Sequence, residues 1–161
     1  MSKAKLDAID RRILKELQLN GRITNVELAR RVGISAPPCL RRVRALEDAG
    51  YINGYHADLS AEALGYGLTV FAWVGLSSQS EADLEAFEAS VRQWDMVREC
   101  HMLTGEVDFV LKIVAPDWDQ WQSFLTSELT AAANVASVKT APVLRRSKYE
   151  AGFPLPEESG S

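Results

Sequence analysis

The first 60 residues contain three segments in which apolar residues recur at the spacing of a helix. The first segment, "DAIDRRILKELQLNG", has Asp7 as a helix N-cap, and its apolar face consists of Ile9, Ile13, Leu14 and Leu17. In the second segment, Thr24 and Glu27 have the spacing of a capping box, and Gly33 ends the helix. The third starts at Ser35, so a turn of only two residues separates the last two helices. This arrangement predicts a helix-turn-helix.

The third segment, "SAPPCLRRVRALEDAG", carries arginines on the face that the core does not use. At about 100° per residue, the stripe expected to face the core is Leu40, Val43 and Leu46. Arg41 then points away from that stripe and Arg42 lies at its side. The other outward residues are Pro37, Pro38, Arg44 and Ala45. The next stretch, "YINGYHADL", has a turn signal at Asn53 and Gly54, which predicts a wing or a strand linker.

The periodicity changes beyond a glycine-containing hinge at residues 61–67. Four stretches predict strands: "LTVFAWVGL", "MVRECHML", "DFVLKIVA" and "VASVKTAPVLR". Ser80 and Asp117 begin two helices between these strands, and "TGEV" joins the middle two strands as a hairpin. The apolar stripe of the second of these helices is Trp118, Trp121, Phe124, Leu125 and Leu129. The resulting order, β-α-β-β-α-β, predicts a ferredoxin-like domain.

These elements predict an α+β protein with two domains. A winged helix-turn-helix occupies residues 1–60, and a ferredoxin-like domain occupies residues 68–148 beyond the hinge. Residues 149–161 are rich in Pro, Gly, Glu and Ser, and are expected to form a mostly disordered tail. The first strand offers apolar residues on both of its sides, Phe71 and Trp73 among them. Because a ferredoxin-like sheet leaves one face open, two sheets packed face to face predict a homodimer.

The two halves of the chain carry net charges of opposite sign. Residues 1–60 contain 11 basic and 7 acidic side chains, whereas residues 61–161 contain 7 basic and 15 acidic ones. This asymmetry indicates that only the first half meets a polyanion. No apolar run approaches the roughly 18 residues of a membrane helix, and the start "MSKAKLDAIDRR" has no hydrophobic signal core. We therefore expect a cytoplasmic protein without a membrane partner.

The start of the third helix is unusual and suits contact with DNA. With Ser35 as the N-cap, Pro37 and Pro38 occupy the second and third helical positions, and both lack the N–H groups that an N-cap side chain accepts from. The Ser35 hydroxyl is then available to donate to a phosphate, while arginine can read guanine or hold phosphate. The alternative is a merely solvated face. The predicted DNA contacts are Ser35, Pro37, Pro38, Arg41, Arg42 and Arg44.

Two stretches of the chain resemble one known family. The stretch "LDAIDRRILKELQLNGRITNVELARRVGISAPPCLRRVRALEDAGYINGY" is similar to the N-terminal domain of the Lrp/AsnC (feast/famine) family of transcription regulators. The stretch "ECHMLTGEVDFVLKI" continues the similarity. The resemblance implies a regulator that binds double-stranded DNA and a small effector, usually an amino acid, and that forms octamers of four dimers. A dimer that places two recognition helices about 34 Å apart would read a pseudo-palindromic operator.

The stretch "TGEVD", residues 104–108, best matches the effector loop of that family. Its turn can present backbone N–H groups to an α-carboxylate, and Asp108 can pair with an α-ammonium group. The alternative is a simple hairpin in which Gly105 has a positive φ and Asp108 caps the turn. Trp118 aligns with a family position near this cleft, although it also fits core packing or a subunit contact. The effector site implied by the resemblance is Thr104, Gly105, Glu106, Val107, Asp108, Trp118, Thr140 and Ala141.

Two residues leave the identity of the effector open. Ala141 and Pro142 stand where bulkier residues are common in the leucine-type pattern of the family. A proline within a strand also predicts an edge strand or a bulge.

Little else in the sequence points to chemistry. Cys100 and His101 are adjacent in a strand and so point to opposite faces, which is poor geometry for binding one metal ion. We find no catalytic set and expect neither a metal nor a cofactor. The alternative function is an enzyme like the haem-pathway decarboxylases, which resemble this two-domain architecture. A third class, a protein-interaction module, would need no cationic helix.

Overall fold

The structure, a computed structural model, describes residues 6–155. Its elements divide between two units: the first combines the chain up to Asp58 with the segment from Lys148 onwards, and the second is Leu59–Ser147. Within residues 6–155, no helix is both long enough and apolar enough to span a bilayer. Residues 1–5 and 156–161 lie outside the described residues, so the predictions for the two ends of the chain are not addressed there.

The first unit contains three helices: α1 (Ala8–Leu19), α2 (Asn25–Val32) and α3 (Ala36–Asp48). Asp7 is the N-cap of α1, as predicted. Its carboxylate accepts a hydrogen bond from Asp10 N at 2.8 Å, and the Asp10 carboxylate accepts one from Asp7 N at 3.2 Å. At the end of α2, Gly33 has a φ of 77°, a left-handed conformation that glycine adopts without strain. The chain then turns through Ser35 into α3, which confirms the helix-turn-helix.

Only half of the capping box predicted for α2 forms. Thr24 Oγ1 accepts a hydrogen bond from Glu27 N at 3.2 Å. The Glu27 carboxylate, however, accepts hydrogen bonds from Arg30 and Arg31 at 2.6 and 2.8 Å instead of turning back to Thr24. Hydrogen bonds between two charged groups are stronger than one to a neutral N–H group, so the Glu27 carboxylate binds the two arginines instead of the Thr24 N–H.

The core of the first unit corrects the predicted orientation of α3. Leu46 is buried and Val43 is half-buried, but Leu40 is 40% exposed and Cys39 is fully buried in its place. Cys39, Val43 and Leu46 fall within about 60° around the helix axis, whereas the predicted trio with Leu40 spans about 120°. The narrower stripe wins because a free cysteine behaves as a small apolar residue. The rest of this core is Ile13, Leu28, Ala29 and Val32.

The segment after α3 is irregular. Residues 52–60 contain neither a turn nor a strand, so the turn predicted at Asn53 and Gly54 is wrong. The Tyr55 hydroxyl donates to Glu47 Oε1 at 2.8 Å and holds the segment against α3. Burial, reinforced by Glu47, raises the pKa of Tyr55 to about 12, so this hydroxyl keeps its proton at neutral pH.

The second unit has the predicted β-α-β-β-α-β order. Its elements are β1 (Leu68–Leu76), α4 (Glu81–Val91), β2 (Val97–Met102), β3 (Phe109–Ala115), α5 (Trp118–Phe124) and β4 (Val135–Pro142). A π-helical turn, Leu125–Leu129, continues α5 and was not predicted. The strands form one antiparallel sheet in the order β2-β3-β1-β4, which is ferredoxin-like. The edge position predicted for Pro142 is confirmed, since β4 is an edge strand.

Alternate strand residues divide the sheet into two faces. The face toward α4 and α5 is buried and includes Val70, Ala72, Val74, Phe109, Leu111 and Ile113. The opposite face, here called the open sheet face, points away from both helices and carries the half-buried residues Phe71, Trp73, Val110, Lys112 and Val114, with Lys112 paired to Glu99 at 2.6 Å. The rings of Phe71 and Trp73 are 6.5 Å apart. The second unit therefore presents an aromatic and aliphatic surface, with one Lys112–Glu99 ion pair on it, on the face that its own helices leave uncovered.

The C-terminal segment, residues 148–155, contains no helix or strand but contacts α1. Gln18 Nε2 donates to Phe153 O at 2.8 Å, and Phe153 N donates to Gln18 Oε1 at 2.9 Å. Gly152 has a φ of 80°, and a Cβ atom there would overlap the Gln18 side chain. This contact therefore requires glycine at position 152. It lies within the stretch whose composition predicts a mostly disordered tail.

Candidate nucleic-acid interface and ligand loop

The first turn of α3 has the geometry that its prolines predict. Ser35 is an exposed N-cap with extended backbone (φ −78°, ψ 159°), and its side chain makes no capping hydrogen bond. Pro37 and Pro38 occupy the second and third helical positions and have no N–H to offer it. Asn25 Nδ2 donates to Ala36 O at 2.8 Å and fixes the start of α2 against the start of α3. The Ser35 hydroxyl thus lies at the start of α3 and makes no capping hydrogen bond to the helix.

Arg42, one of the three arginines of α3, is engaged inside the first unit. Its Nη1 atom donates to Asp7 Oδ2 and to Asp10 Oδ1, at 2.7 Å each, and so ties α3 to the start of α1. The hydrogen bond from Asp10 N lowers the pKa of the Asp7 carboxyl, and Arg42 lowers it further. The structure therefore gives Arg42 a role in holding the helices together.

The two arginines of α2 also have acidic partners. Arg30 pairs with Glu27 at 2.6 Å, and Arg31 pairs with Glu27 at 2.8 Å and with Glu16 of α1 at 2.9 Å. The hydrogen bonds from Arg30 and Arg31 lower the pKa of Glu27 to about 2. Carboxylates thus partly neutralise the positive charge of α2 within the unit.

Arg41 and Arg44 differ from these three arginines. Both are exposed on the outward face of α3, which we define as Pro37, Leu40, Arg41, Arg44 and Ala45. Among residues 6–155, neither guanidinium group has a hydrogen-bond or ion-pair partner. A phosphate oxygen or a guanine edge can therefore bind either arginine without displacing an existing contact.

The ligand loop, residues 104–108, is a closed hairpin connection. Leu103 N donates to Asp108 O at 2.8 Å and closes the loop. Gly105 has a φ of 137°, which matches the positive φ that the simple hairpin alternative requires. Thr104, Gly105 and Glu106 are exposed, so their backbone N–H groups lie on an accessible turn.

Asp108 anchors the ligand loop to the neighbouring strand. Its N–H donates to Val74 O at 3.0 Å, and its Oδ2 atom accepts a hydrogen bond from Leu76 N at 2.6 Å. The carboxylate thus binds the end of β1 rather than capping its own turn. Among the described residues, its second oxygen, Oδ1, has no partner and is left for a cationic group.

The other residues of the predicted effector site lie elsewhere in the second unit. The ligand loop precedes β3, whereas Trp118 follows the opposite end of that strand, about 20 Å away along it. Thr140 and Ala141 lie in β4, which pairs with β1 and not with β3. One chain therefore brings residues 104–108 together, whereas Trp118 lies beyond the other end of β3 and β4 lies one strand beyond the β1 residues that bind Asp108. Trp118 is 56% exposed, so core packing is wrong for this residue.

Cys100 and His101 point to opposite faces of β2, as predicted. Cys100 packs against the core of the second unit, and burial raises the pKa of its thiol to about 11. His101 is exposed, with its Nε2 atom 3.5 Å from Glu99 Oε2. Within residues 6–155, no group of three or more His, Cys, Asp and Glu residues is placed to hold a metal ion.

Sequence reasoning missed two features of the α3 surface. The exposure of Leu40 has a sequence signal, because the stripe of Cys39, Val43 and Leu46 is narrower around the helix axis than the one that includes Leu40. The acidic partners of Arg42 carry no local signal, because Asp7 and Asp10 precede it by 35 and 32 positions.

Two family models match the chain. One, described as a winged helix-turn-helix DNA-binding model, covers residues 6–53, and the other, described as the Lrp/AsnC ligand binding domain, covers residues 69–153. The chain is 57% identical to the leucine-responsive regulatory protein of Rhizobium meliloti (strain 1021), over 91% of this chain and 94% of that protein. It is 41% identical to the leucine-responsive regulatory protein of Salmonella typhimurium, over 89% of this chain and 87% of that protein.

Solved structures show the same architecture. A transcriptional regulator from Neisseria meningitidis, in complex with L-Met, superposes with a TM-score of 0.90 at 40% identity, over 94% of this chain and 97% of that chain. AsnC from E. coli superposes with a TM-score of 0.84 at 28% identity, over 95% of this chain and 100% of that chain. The named relatives are regulators, which favours the regulator prediction over the decarboxylase alternative.

Proposed function

The chain belongs to the Lrp/AsnC family of DNA-binding transcription regulators. We propose that it recognises an operator through the outward face of α3 and that a free amino acid bound at the ligand loop regulates it. The chain is a regulator rather than an enzyme, and the decarboxylase alternative is set aside. Since it acts on DNA, we place it in the cytoplasm. The observation that carries the proposal is the contrast between Arg42, which is ion-paired, and Arg41 and Arg44, which are not.

On the DNA, each group of α3 has a separate task. Arg41, at the middle of the outward face, donates to a base edge in the major groove, where guanine offers two acceptors. Arg44 and the Ser35 hydroxyl hold phosphates and fix the register. Pro37 and Pro38 add no long side chain, so the helix can approach the groove closely. Arg42 contributes by holding α3 on α1, in addition to its positive charge.

The open sheet face supports a proposed homodimer. A second copy packed on this face would cover Phe71, Trp73 and the two valines of β3, which no helix of their own unit covers. Two α3 helices about 34 Å apart would then read a pseudo-palindromic operator. The family resemblance extends the proposal to an octamer built from four dimers.

The effector site is proposed to be shared between subunits. Backbone N–H groups of residues 104–107 would hold the α-carboxylate, and Asp108 Oδ1 would accept from the α-ammonium group. Trp118 lies at the other end of β3 from its own loop, and residues 140–141 lie in β4, one strand beyond the β1 residues that bind Asp108, so we propose that they serve the loop of another subunit. A relative was solved with L-Met, and others are named as leucine-responsive, so we propose an apolar amino acid as the effector.

The DNA proposal is tested by selecting a binding site from random duplexes and measuring affinity by fluorescence anisotropy. Arg41→Ala should weaken binding to the selected duplex by about 5- to 150-fold, with a smaller loss on a scrambled duplex. Arg92→Ala is a matched control, since it removes one exposed arginine from α4's C-cap position in the second unit. Equal losses for the two variants, or equal losses of Arg41→Ala on both duplexes, would contradict base reading by Arg41.

The effector proposal is tested by a thermal-shift series with the twenty amino acids, L-Leu and L-Met included. A ligand of the folded protein raises the melting temperature by mass action. Asp108→Asn keeps an oxygen that can accept from Leu76 N but removes the charge, so it should abolish the shift without loosening β1. A shift of the same size in Asp108→Asn and the parent would show that the site lies elsewhere.

A further inference from the structure

Leu40 is an exposed apolar side chain on a surface that is otherwise cationic or small. It is the fifth residue of α3 and 40% of it is exposed, while the apolar contact expected of it is supplied by Cys39. Around the helix axis, Leu40 lies about 40° from Arg44 and about 100° from Arg41. As the residue four positions before Arg44, it is a direct neighbour of that arginine on the helix surface.

The charge around Leu40 selects the partner that can cover it. Arg41 and Arg44 have no acidic partner among the described residues, so this surface fits a polyanion better than a second protein face. In a helix-turn-helix, the N-terminal part of the second helix is the part that reaches the base edges. In the major groove, the apolar group on a base edge is the C5-methyl group of thymine.

We propose that Leu40 is a specificity-determining residue that packs against the C5-methyl group of a thymine, next to the position held by Arg44. The inference rests on the proposed DNA-binding function of α3 and adds to it a preference for thymine at one position of each half-site. Arg41 and Arg44 provide hydrogen bonds and charge, whereas Leu40 discriminates by removing a methyl group from water.

The test uses operator duplexes in which one thymine at a time is replaced by deoxyuridine, which differs only in lacking that methyl group. The duplex is first selected from random sequence with the full-length protein, and affinity is measured by fluorescence anisotropy. The parent protein should bind about fourfold more weakly when the contacted thymine is replaced, the effect of one buried methyl group. Because these duplexes leave the protein unchanged, a folding defect cannot imitate the result.

Leu40→Ala then assigns the methyl effect to one side chain. This variant should bind the thymine and deoxyuridine duplexes equally at the sensitive position, while losing affinity for the thymine duplex. Leu19→Ala is the matched control, since Leu19 is 75% exposed on α1 and lies outside the α3 surface. It should keep the fourfold difference between the two duplexes.

The outcomes distinguish the role of Leu40 from the proposed DNA-binding role of α3. If no thymine replacement weakens the parent protein, or if Leu40→Ala keeps the full difference, the role of Leu40 is overturned while an affinity loss in Arg41→Ala still supports DNA reading by α3. If Arg41→Ala binds every duplex as the parent does, the proposed role of α3 is overturned, and the role of Leu40 with it.

Discussion

The outward face of α3 and the ligand loop differ in how much of the molecule each one needs. The α3 surface is contained in one helix, with its cations, its prolines and Leu40 all between positions 35 and 45. The proposed effector site combines the ligand loop with Trp118 and β4, which lie at separate places in the same unit. The α3 surface needs one helix of one chain, whereas the proposed effector site would combine residues of two subunits.

Disrupting the open sheet face should have the largest effect of the variants considered. It should abolish the amino-acid response while leaving non-specific DNA binding. In Trp73→Glu, a dimer would have to bury an ionised carboxylate, which costs several kcal/mol. We expect the dissociation constant of the dimer to rise at least about 100-fold, measured by sedimentation equilibrium. The monomer should lose its amino-acid response in the thermal-shift assay but retain salt-sensitive binding to random DNA.

A variant on the opposite face of the sheet provides the control for that experiment. Val74→Ala is in the same strand but faces the helices, so it should lower stability without producing monomers. A monomeric Trp73→Glu protein that still answered to an amino acid would contradict a site shared between subunits.

The ion-paired arginine of α3 should matter for stability more than its neighbour does. Arg42→Ala leaves Asp7 and the more buried Asp10 without their shared partner, and we expect unfolding of the first unit to be easier by about 0.5–2 kcal/mol, since two partly exposed ion pairs are lost. Urea denaturation followed by circular dichroism measures this loss. Arg41→Ala, which breaks no ion pair, is the control and should stay within about 0.5 kcal/mol of the parent. Equal stability losses for both variants would remove the structural distinction between the two arginines.

The contact between Gln18 and the C-terminal segment tests whether the stability of the first unit depends on residues far away in the sequence, as its α3 surface does not. Gly152→Ala forces a Cβ atom onto the Gln18 side chain and places alanine at a positive φ, so we expect a loss of about 1 kcal/mol. Gly65→Ala, also at a positive φ but with open space around its Cβ position, separates backbone strain from the lost contact. Equal losses in the two variants would mean that the contact itself adds nothing.

The smallest effect concerns the charge balance of α2. Because the pKa of Glu27 falls from 4.5 to about 2 on folding, its contribution to stability is complete above pH 4.5 and is lost as the pH falls from there toward 2. Glu27→Gln should therefore flatten the pH dependence of the melting temperature in that range. The parent and Glu27→Gln should keep a constant difference in melting temperature above about pH 6. An unchanged slope in the variant would contradict the role of Arg30 and Arg31 as its partners.

Local rules predicted those features that depend on neighbours in the chain. The N-caps at Asp7 and Ser35, the edge position of Pro142 and the β-α-β-β-α-β order of the second unit all follow from short-range patterns. The predicted orientation of α3 at Leu40 was wrong because two apolar stripes were possible, and the narrower one, with Cys39, is the one buried in the structure.

Features that depend on distant residues could not be predicted in the same way. The two carboxylates that bind Arg42 are separated from it by a full helix and two turns, so no spacing rule connects them. For Trp118, the helical stripe predicted burial. Because it is the first residue of α5, no preceding helical turn packs against its side chain, and it remains exposed. The proposed sharing of the effector site between subunits would depend on residues of a second chain, which no pattern within one chain can predict.

The hydrogen bonds between Gln18 and Phe153 also tie completion of the first unit to the timing of protein synthesis. These residues are 135 positions apart. A ribosome that adds about 5–20 residues per second makes Phe153 roughly 7 to 27 s after Gln18. The three helices can form early on the nascent chain, but the Gln18 side chain of α1 meets the Phe153 backbone only when almost the whole chain has been translated. The first unit is therefore completed by a segment made after the second unit, and a chain truncated by a premature stop codon before it lacks this contact.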